Sequence, residues 1–310
     1  MTTNTLAKSQ VGQIVGMTVD PVTPSIGARI SGVNVANATP EVVAAIRSTL
    51  LKHKVIFIRD QHVDAESFLN FAEQFGATTL HHPIVPSADN KVSDGASLKA
   101  KANVWERDNS YRSDHWHTDV TFIDRPVSIS MLRCINCPTN GGDTLFANTA
   151  TAYERLPAPL RALADSLRAV HSLGPGMRKR GRWGDPGMYG FVTEHPVVRV
   201  HSETGERSLM LGSFAEEIVG FSTDASAGMI KIFQDYILMP ENVVRWTWSP
   251  GDLAMWDNRA TQHYAVNDYG DNARLMQRLT IAGGIPVGVD GRSSRSICGD
   301  ASSFSSIGRA

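Results

Sequence analysis

Short apolar or alternating runs, separated by Gly, Pro, Asn and Asp, fill the chain after residue 127 and constrain its fold more than any other feature. The main runs are SISMLRCI, HPVVRVH, RSLMLGSF, VVRWTWS, LAMWD and ARLMQRLTIAG. Runs of this length and punctuation are typical of β-strands, and strands at this density are typical of sandwiches and barrels. The pattern therefore predicts a mainly β fold.

Helical spacing of apolar residues occurs in further segments, which we expect to flank the sheet. One helix is predicted over residues 40–53, before the short buried strand KVIFIRD. A second follows the capping residue Asp64 and stops at Gly76. Two more are predicted around PAPLRALADSLRAVHS and DASAGMIKIFQDYILM. Together these segments predict a β core with flanking helices.

Length and composition indicate one elaborated globular domain. The 310 residues are 42% hydrophobic and 20% charged, and no repeat or linker divides them. We predict a single domain over residues 15–290, flexible termini at 1–14 and 291–310, and a homo-oligomer, either a dimer or a tetramer. The 30 basic and 31 acidic residues nearly cancel, which argues against nucleic acid as a partner.

The sequence also bears on the compartment. No apolar run approaches the roughly 20 residues that cross a bilayer, so no membrane partner is expected. Cys134, Cys137 and Cys298 are too few for the disulfide framework of a secreted protein. We therefore expect a cytoplasmic protein, in which the C-x-x-C formed by Cys134 and Cys137 has a structural role.

The segment WHTDVTF, residues 116–122, carries a candidate metal site. Its strand-like composition predicts that His117 and Asp119 share one face, because residues i and i+2 of an extended chain point the same way. His263, which follows the run LAMWDN, is the best third ligand. Two imidazoles and one carboxylate leave positions open on iron, and they also make an open zinc site.

A second constellation lies in the last strand. The run RLMQRLTIAG alternates so that Arg274 and Arg278 share one face, roughly 13 Å apart at about 3.3 Å per residue. Each guanidinium offers a planar fork suited to a carboxylate or a sulfate. The pair is therefore suited to two anions, although the same alternation also fits a solvated face.

At these residues the sequence resembles the taurine dioxygenase family of 2-oxoglutarate-dependent oxygenases, and most closely its alkylsulfatase branch. The matching motifs, in order, are WHTDVTF, GGDTLFANT, HPVVR, RWTWSPGDLAMWDNRATQHYA and the two spaced arginines. The resemblance implies a distorted double-stranded β-helix, a cupin-like jelly roll. It also implies that the chain uses Fe(II), 2-oxoglutarate and O2, with His117, Asp119 and His263 as iron ligands and catalytic residues.

The resemblance further implies two anion sites. Thr144 and Arg274 would hold the distal carboxylate of 2-oxoglutarate. His82, in HHPIVP, and Arg278 would hold a small anionic organic substrate. A buried carboxylate needs such pairing, because an isolated charge is costly away from water.

The pattern of taurine enzymes is broken at two positions, where Val85 and Ser113 replace a Tyr and an Asn. Their loss leaves a pocket less suited to an amine. We therefore expect hydroxylation of the carbon that bears a sulfate ester, which yields an aldehyde and sulfate. A sulfonate, an aryloxyalkanoate or another carboxylate remains an alternative substrate. The other classes that fit the metal residues are a zinc hydrolase and a cupin-type binding module, and residues 173–190 are a candidate active-site lid.

Overall fold

The computed structural model describes residues 16–79, 103–106, 113–173, 190–302 and 304, with the backbone alone at 103–106. The strands in these ranges are β1 (Thr18–Pro21), β2 (Ala28–Ser31), β3 (Val55–Ile58), β4 (Asn103–Glu106), β5 (Ile129–Asn136), β6 (Thr144–Asn148), β7 (Arg168–Ser172), β8 (Val192–Pro196), β9 (Val198–Val200), β10 (Arg207–Leu209), β11 (Ala215–Ile218), β12 (Val243–Trp246), β13 (Leu253–Asp257), β14 (Thr261–Ala265), β15 (Leu275–Ile281) and β16 (Arg295–Cys298). The helices are α1 (Pro40–His53), α2 (Ala65–Glu73), α3 (Thr149–Arg155), α4 (Ala158–Ser166) and α5 (Thr223–Ile237).

Most of these strands belong to a large sheet and two smaller ones. The large sheet has the order β1-β2-β3-β13-β5-β15-β4, and only its β2–β3 pair is parallel. The smaller sheets have the orders β12-β6-β14 and β11-β7-β8-β16, and β9 pairs with β10. The predicted mainly β fold with flanking helices is confirmed.

An aromatic core joins the large sheet to the β12-β6-β14 sheet. Phe57 of β3 stacks on Trp246 of β12, with ring centroids 4.0 Å apart. Phe146 of β6 lies 5.4 Å from the ring of Trp256 in β13. Such face-to-face packing buries the inner side of both sheets and fixes their relative position. The candidate site is built where these two sheets meet.

Two helices cover the other face of the large sheet, as their sequences predict. Thr39 caps α1 by accepting a hydrogen bond from the amide of Val42, and Asp64 caps α2 by accepting one from Ser67. The apolar faces of both helices pack on alternate residues of the sheet in one buried cluster. Its members include Ile46, Leu50, Phe68, Phe71, Met131, Met255, Leu279 and Ile281.

One helix prediction was too long. Residues 157–172 were expected to form a single helix, but α4 ends at Ser166 and Arg168–Ser172 form the strand β7. This strand pairs with β8 on one side and β11 on the other, so its backbone groups are satisfied within a sheet. Sheet pairing overrides the helical spacing of the apolar residues. His171 consequently lies in a strand rather than at the end of a helix.

The carboxyl-terminal segment also differs from its prediction. Residues 291–310 were expected to be flexible, but Arg295–Cys298 form β16 and pair with β8. Arg295 binds the carboxylate of Glu194, with Nη2 2.7 Å from Oε2, and Phe304 packs against Phe191. These contacts fix part of a segment whose composition alone suggested disorder. Residues 1–15 and most of the candidate lid at 173–190 lie outside the described residues.

Within the described ranges, none of the helices combines the length and the apolar character that crossing a bilayer requires.

Candidate active site

Backbone pairing brings two of the predicted ligands together. The amide of His117 donates to the carbonyl of His263, at 3.1 Å, and the amide of His263 donates to the carbonyl of His117, at 2.8 Å. His263 lies in the middle of β14, whereas His117 forms only this isolated bridge. The two imidazoles lie side by side, with ring centroids 4.1 Å apart.

The prediction of a strand over residues 116–122 was wrong. The chain turns from Asp119 to Phe122, and Val120 has a φ of 48°, in the left-handed region that β-branched residues rarely adopt. The turn directs the carboxylate of Asp119 toward the two imidazoles. The local pattern could not reveal it, because Val, Thr and Phe all favour strands.

The three side chains converge on one point. Oδ1 of Asp119 lies 3.7 Å from Nε2 of His117 and 3.6 Å from Nε2 of His263. One ligand atom of each residue lies within 4.8 Å of the others, and all three residues are buried. Imidazole and carboxylate ligands bind transition metals at about 2.0 to 2.2 Å, so small side-chain shifts would close the site on an ion. The donor set therefore fits a divalent cation.

Neighbouring groups orient two of the three candidate ligands. Nδ1 of His117 lies 2.8 Å from the carbonyl of His115, which leaves Nε2 as the free lone pair. Oδ2 of Asp119 accepts a hydrogen bond of 2.6 Å from Ser130 and an ion pair from Arg278. Only Oδ1 of Asp119 is left to face the imidazoles.

Burial and neighbouring charges give each candidate ligand the ionisation state that metal binding requires. Burial, with the neighbouring His263, lowers the pKa of His117 to about 3, and burial lowers the pKa of His263 to about 4. Burial opposes ionisation of Asp119, but the charge of Arg278 and the two imidazoles hold the pKa of that carboxyl well below its usual range. At neutral pH the site contains two neutral imidazoles and one carboxylate.

The two predicted arginines differ in environment. Arg274 precedes β15, and its buried Nε and Nη2 have no hydrogen-bond partner among the described residues. A Cβ on Gly142 would lie 3.2 Å from its Cδ, so this glycine makes room for the guanidinium. Arg278 lies within β15 and pairs with Asp119, while its buried Nε lacks a partner in the same ranges. The alternation of the strand is interrupted between Leu275 and Met276, where the register shifts.

The other predicted site residues fall into two groups. Thr144 begins β6 and is buried, and its hydroxyl oxygen accepts a hydrogen bond of 3.0 Å from Nε1 of Trp248. Asp143, its neighbour, is close enough to Arg274 to affect the pKa of that guanidinium. Ser113 is exposed, and its carbonyl accepts from the amide of Ala265. His82 and Val85 lie outside the described residues.

Similarity to a known family identifies the class of protein that has this site geometry. The profile described as "Taurine catabolism dioxygenase TauD, TfdA family" matches residues 18–280. The chain belongs to this family. Members of the family depend on Fe(II), 2-oxoglutarate and O2, and the chain is a dioxygenase of this kind. The resemblance read from the motifs is confirmed, and the family assignment favours iron over the zinc hydrolase alternative.

Individual relatives agree with the family assignment. An "Alpha-ketoglutarate-dependent sulfate ester dioxygenase" of Pseudomonas putida is 44% identical over 290 residues, which cover 89% of this chain and 93% of the relative. An "Alkylsulfatase" of Acinetobacter baylyi is 44% identical over 284 residues, which cover 87% and 86%. The crystal structure of a taurine dioxygenase from Burkholderia xenovorans has a TM-score of 0.78 and 39% identity, covering 92% and 96%. The predicted jelly-roll fold is confirmed by this similarity.

Sequence reasoning missed a pair of buried histidines that contact Thr121, two residues after the candidate ligand Asp119. His171 binds the hydroxyl of Thr121 through Nδ1 at 2.9 Å, and His195 binds the carbonyl of Thr121 through Nε2 at 2.7 Å. Burial lowers the pKa of His171 to about 3, and burial with the nearby His171 lowers the pKa of His195. The two rings therefore support the turn that follows Asp119 in their neutral form.

This arrangement predicts a loss of stability in mild acid. In the unfolded chain these histidines take up protons near pH 6.5, whereas in the folded enzyme they resist protonation. The stability they contribute is therefore complete above pH 6.5 and falls below it, by up to about 1.4 kcal/mol per pH unit for each histidine. We expect the melting temperature of the metal-free enzyme to fall steadily from pH 6.5 to pH 4.5.

The matched measurement uses His171→Gln and His62→Gln, because His171 is buried and His62 is exposed. His171→Gln should melt at a lower temperature at pH 7 and lose less of its stability toward pH 4.5. His62→Gln should follow the parent enzyme. A parent melting temperature that is constant across this pH range would contradict the prediction.

Proposed function

We propose that the chain is a sulfate ester dioxygenase that converts an alkyl sulfate to an aldehyde and sulfate. One observation carries the proposal: a second, largely buried guanidinium, that of Arg278, lies beside the candidate metal site, and its Nε has no partner among the described residues. The sulfate ester dioxygenase and the alkylsulfatase at 44% identity support the choice of sulfate ester. The cosubstrate 2-oxoglutarate would be consumed with O2 and released as succinate and CO2.

His117, Asp119 and His263 would hold the iron. When bound there, Fe(II) supplies the activation of O2 that couples decarboxylation of the cosubstrate to oxidation of a C–H bond. Three protein ligands would leave other coordination positions for the cosubstrate and O2. The protein holds these ligands in a buried site, which limits the access of water.

Arg274 and Thr144 would hold the distal carboxylate of 2-oxoglutarate. The buried guanidinium of Arg274 presents two donors that have no partners in the part of the chain that the structure describes. Burial also lowers its pKa, so a bound anion would relieve a costly buried charge. Trp248 already donates to the oxygen of Thr144, which leaves the hydroxyl proton of Thr144 free to be donated. Both groups therefore suit a carboxylate.

Arg278 and His82 would hold the sulfate of the prime substrate. With the sulfate held near the metal, the carbon that bears it is the nearest C–H group. Hydroxylation of that carbon gives an unstable hemiacetal ester: the C–O bond to sulfate breaks, sulfate leaves with its electron pair, and the hydroxyl loses its proton to form the aldehyde. Val85 and Ser113, where taurine enzymes have polar groups, would favour an alkyl chain over an ammonium.

The test of this proposal is a substrate series. Medium-chain alkyl sulfates should give a higher kcat/KM than taurine, because each buried CH2 contributes about 0.8 kcal/mol, or roughly fourfold, whereas the ammonium of taurine would lose its hydration. Sulfate and aldehyde release from alkyl sulfates of increasing length would be compared with sulfite release from taurine, with succinate measured in every reaction.

The series also separates the alternatives. Preference for taurine or another sulfonate, or for an aryloxyalkanoate, would contradict the sulfate ester proposal. Aryloxyalkanoates are included because the (S)-phenoxypropionate/alpha-ketoglutarate-dioxygenase of Sphingobium herbicidovorans is 27% identical over 275 residues, which cover 86% of this chain and 94% of the relative. Succinate formed without any oxidised substrate would contradict all of these choices.

A cytoplasmic location and a homo-oligomeric state, a dimer or a tetramer, are part of the same proposal. All three cysteines are free thiols, and Cys134 is buried, which suits a reducing compartment. Cell fractionation and light scattering would check the two points.

A further inference from the structure

A chain of buried hydrogen bonds leads away from the candidate metal ligand Asp119. The hydroxyl of Ser130, in β5, donates to Oδ2 of Asp119 at 2.6 Å. Nδ2 of Asn258, which follows β13, donates to Oγ of Ser130 at 2.8 Å. Ser130 and Asn258 are both fully buried. The carboxylate is therefore connected to two strands of the large sheet that carry no metal ligand.

The other contacts of Asn258 fix which group donates and which accepts in each of these hydrogen bonds. Its Oδ1 accepts from Nε1 of Trp256 at 3.2 Å and from the amide of Asp119 at 3.4 Å. Its backbone carbonyl is bound by the buried guanidinium of Arg199. With Oδ1 used as an acceptor, Nδ2 must donate to Ser130. The single hydroxyl proton of Ser130 then points to Asp119.

The hydrogen bond from Ser130 helps to decide which oxygen of Asp119 faces the imidazoles. Ser130 and Arg278 both donate to Oδ2, whereas Oδ1 points to His117 and His263. A carboxylate held in this way offers one oxygen to an ion instead of two. One-oxygen binding keeps a coordination position open, which a two-oxygen carboxylate would occupy.

Arg278 cannot supply this restraint alone in the proposed function, because the same guanidinium is assigned to the anionic substrate. Ser130 is not assigned to the substrate. Its hydroxyl oxygen accepts a hydrogen bond of 2.8 Å from Asn258 and a longer one of 3.4 Å from Arg278, so Asn258 makes the closer contact that sets its position. The Ser130–Asn258 pair would therefore keep Oδ2 occupied when Arg278 engages the substrate.

We propose that Ser130 and Asn258 are positioning residues that hold Asp119 as a one-oxygen metal ligand. The proposal rests on the proposed function for the identity of the site, but it concerns the carboxylate and can be tested with a metal alone. Partners of this kind typically change metal affinity by about 10- to 100-fold when they are removed.

The experiment compares two matched pairs of variants in the full chain. Ser130→Ala and Asn258→Ala remove the two partners. Ser226→Ala and Asn242→Ala remove buried polar groups of the same types at distant positions, where Ser226 accepts from the amide of Ile218 and Asn242 donates to two backbone carbonyls. Binding of Co(II) would be measured by titration, and its visible absorption spectrum would report the geometry around the ion.

We expect Ser130→Ala and Asn258→Ala to bind Co(II) about 10- to 100-fold more weakly than the parent and to change its absorption spectrum. Ser226→Ala and Asn242→Ala should retain the parent affinity and spectrum, even if they melt at lower temperatures. If Asn258→Ala does not fold, the comparison of Ser130→Ala with Ser226→Ala tests the proposal. The proposal would be overturned if a folded Ser130→Ala or Asn258→Ala variant had the same Co(II) affinity and spectrum as its matched control.

Turnover assays separate this proposal from the proposed function. Failure of the parent enzyme to release sulfate from any alkyl sulfate would contradict the function, but the Co(II) comparison would still report on Asp119. Normal turnover in the parent with unchanged Co(II) binding in Ser130→Ala would overturn the positioning role alone.

Discussion

Replacement of His117, Asp119 or His263 by alanine is expected to abolish succinate formation. Each change removes one of three groups that converge within 4.8 Å in a buried site. The remaining two ligands would hold the ion weakly, and replacement of the negatively charged Asp119 would also leave the positive charge of Arg278 buried without its partner. We expect the loss to exceed about 100-fold, the upper end of the effect of residues that only orient a ligand.

The measurement is anaerobic titration with Fe(II), followed by succinate assays with 2-oxoglutarate, ascorbate and an alkyl sulfate. His62→Ala is the matched control, because it removes an imidazole that is exposed rather than buried at the site. A chelator should inactivate the parent and the control equally. Near-parental turnover of any ligand variant at full iron loading would refute the assignment of that ligand.

The parts of the fold that sequence reasoning predicted are those set by local interactions. Helices α1 and α2 follow from capping residues and from apolar residues on one face, and the structure has α1 over the predicted residues 40–53. The candidate metal ligands could also be predicted from the sequence, since His117 and Asp119 are two apart. His263 could be chosen because it lies in a short run between two predicted strands.

The errors arise where distant parts of the chain decide the local conformation. The segment Arg168–Ser172 is a strand because β8 and β11 pair with it. Asp119 reaches the imidazoles through a turn that includes the left-handed Val120, and the hydroxyl of Thr118 supports this region by donating to the carbonyl of Thr261. No local pattern encodes these pairings.

The supporting residues of the site were missed for the same reason. Ser130 lies within an apolar strand, where a single serine gives no signal of its own. Its partner Asn258 lies 128 residues further along the chain. The contact becomes visible only when β5 and β13 are adjacent in the large sheet. The resemblance to a family predicted the ligands, but the structure was needed to show which side chains contact the candidate ligand Asp119.

The second large effect separates the roles of Arg274 and Arg278. Arg274→Ala should raise the KM for 2-oxoglutarate, whereas Arg278→Ala should mainly lower kcat/KM for the alkyl sulfate. Each replacement would leave a bound anion without its guanidinium, at a cost of about 3 to 5 kcal/mol, or roughly 150- to 5,000-fold in the affected constant. Arg274→Lys should recover little of the loss, because an ammonium lacks the planar fork of a guanidinium.

The contacts of the two arginines determine how this test must be controlled. Arg278 binds Asp119, so its replacement is also expected to weaken the metal site, and the variants must be compared at full metal loading. Within the described ranges, Arg274 has no contact with Asp119 and its Nε and Nη2 have no partner, so its replacement is not expected to weaken the metal site. Arg292→Ala, which breaks an exposed ion pair with Asp290, provides the control for the loss of a guanidinium.

Titration of 2-oxoglutarate and of the alkyl sulfate against each variant then gives two independent constants. If Arg274→Ala and Arg278→Ala change the same constant, or exchange their effects, the proposed division between cosubstrate and substrate is wrong.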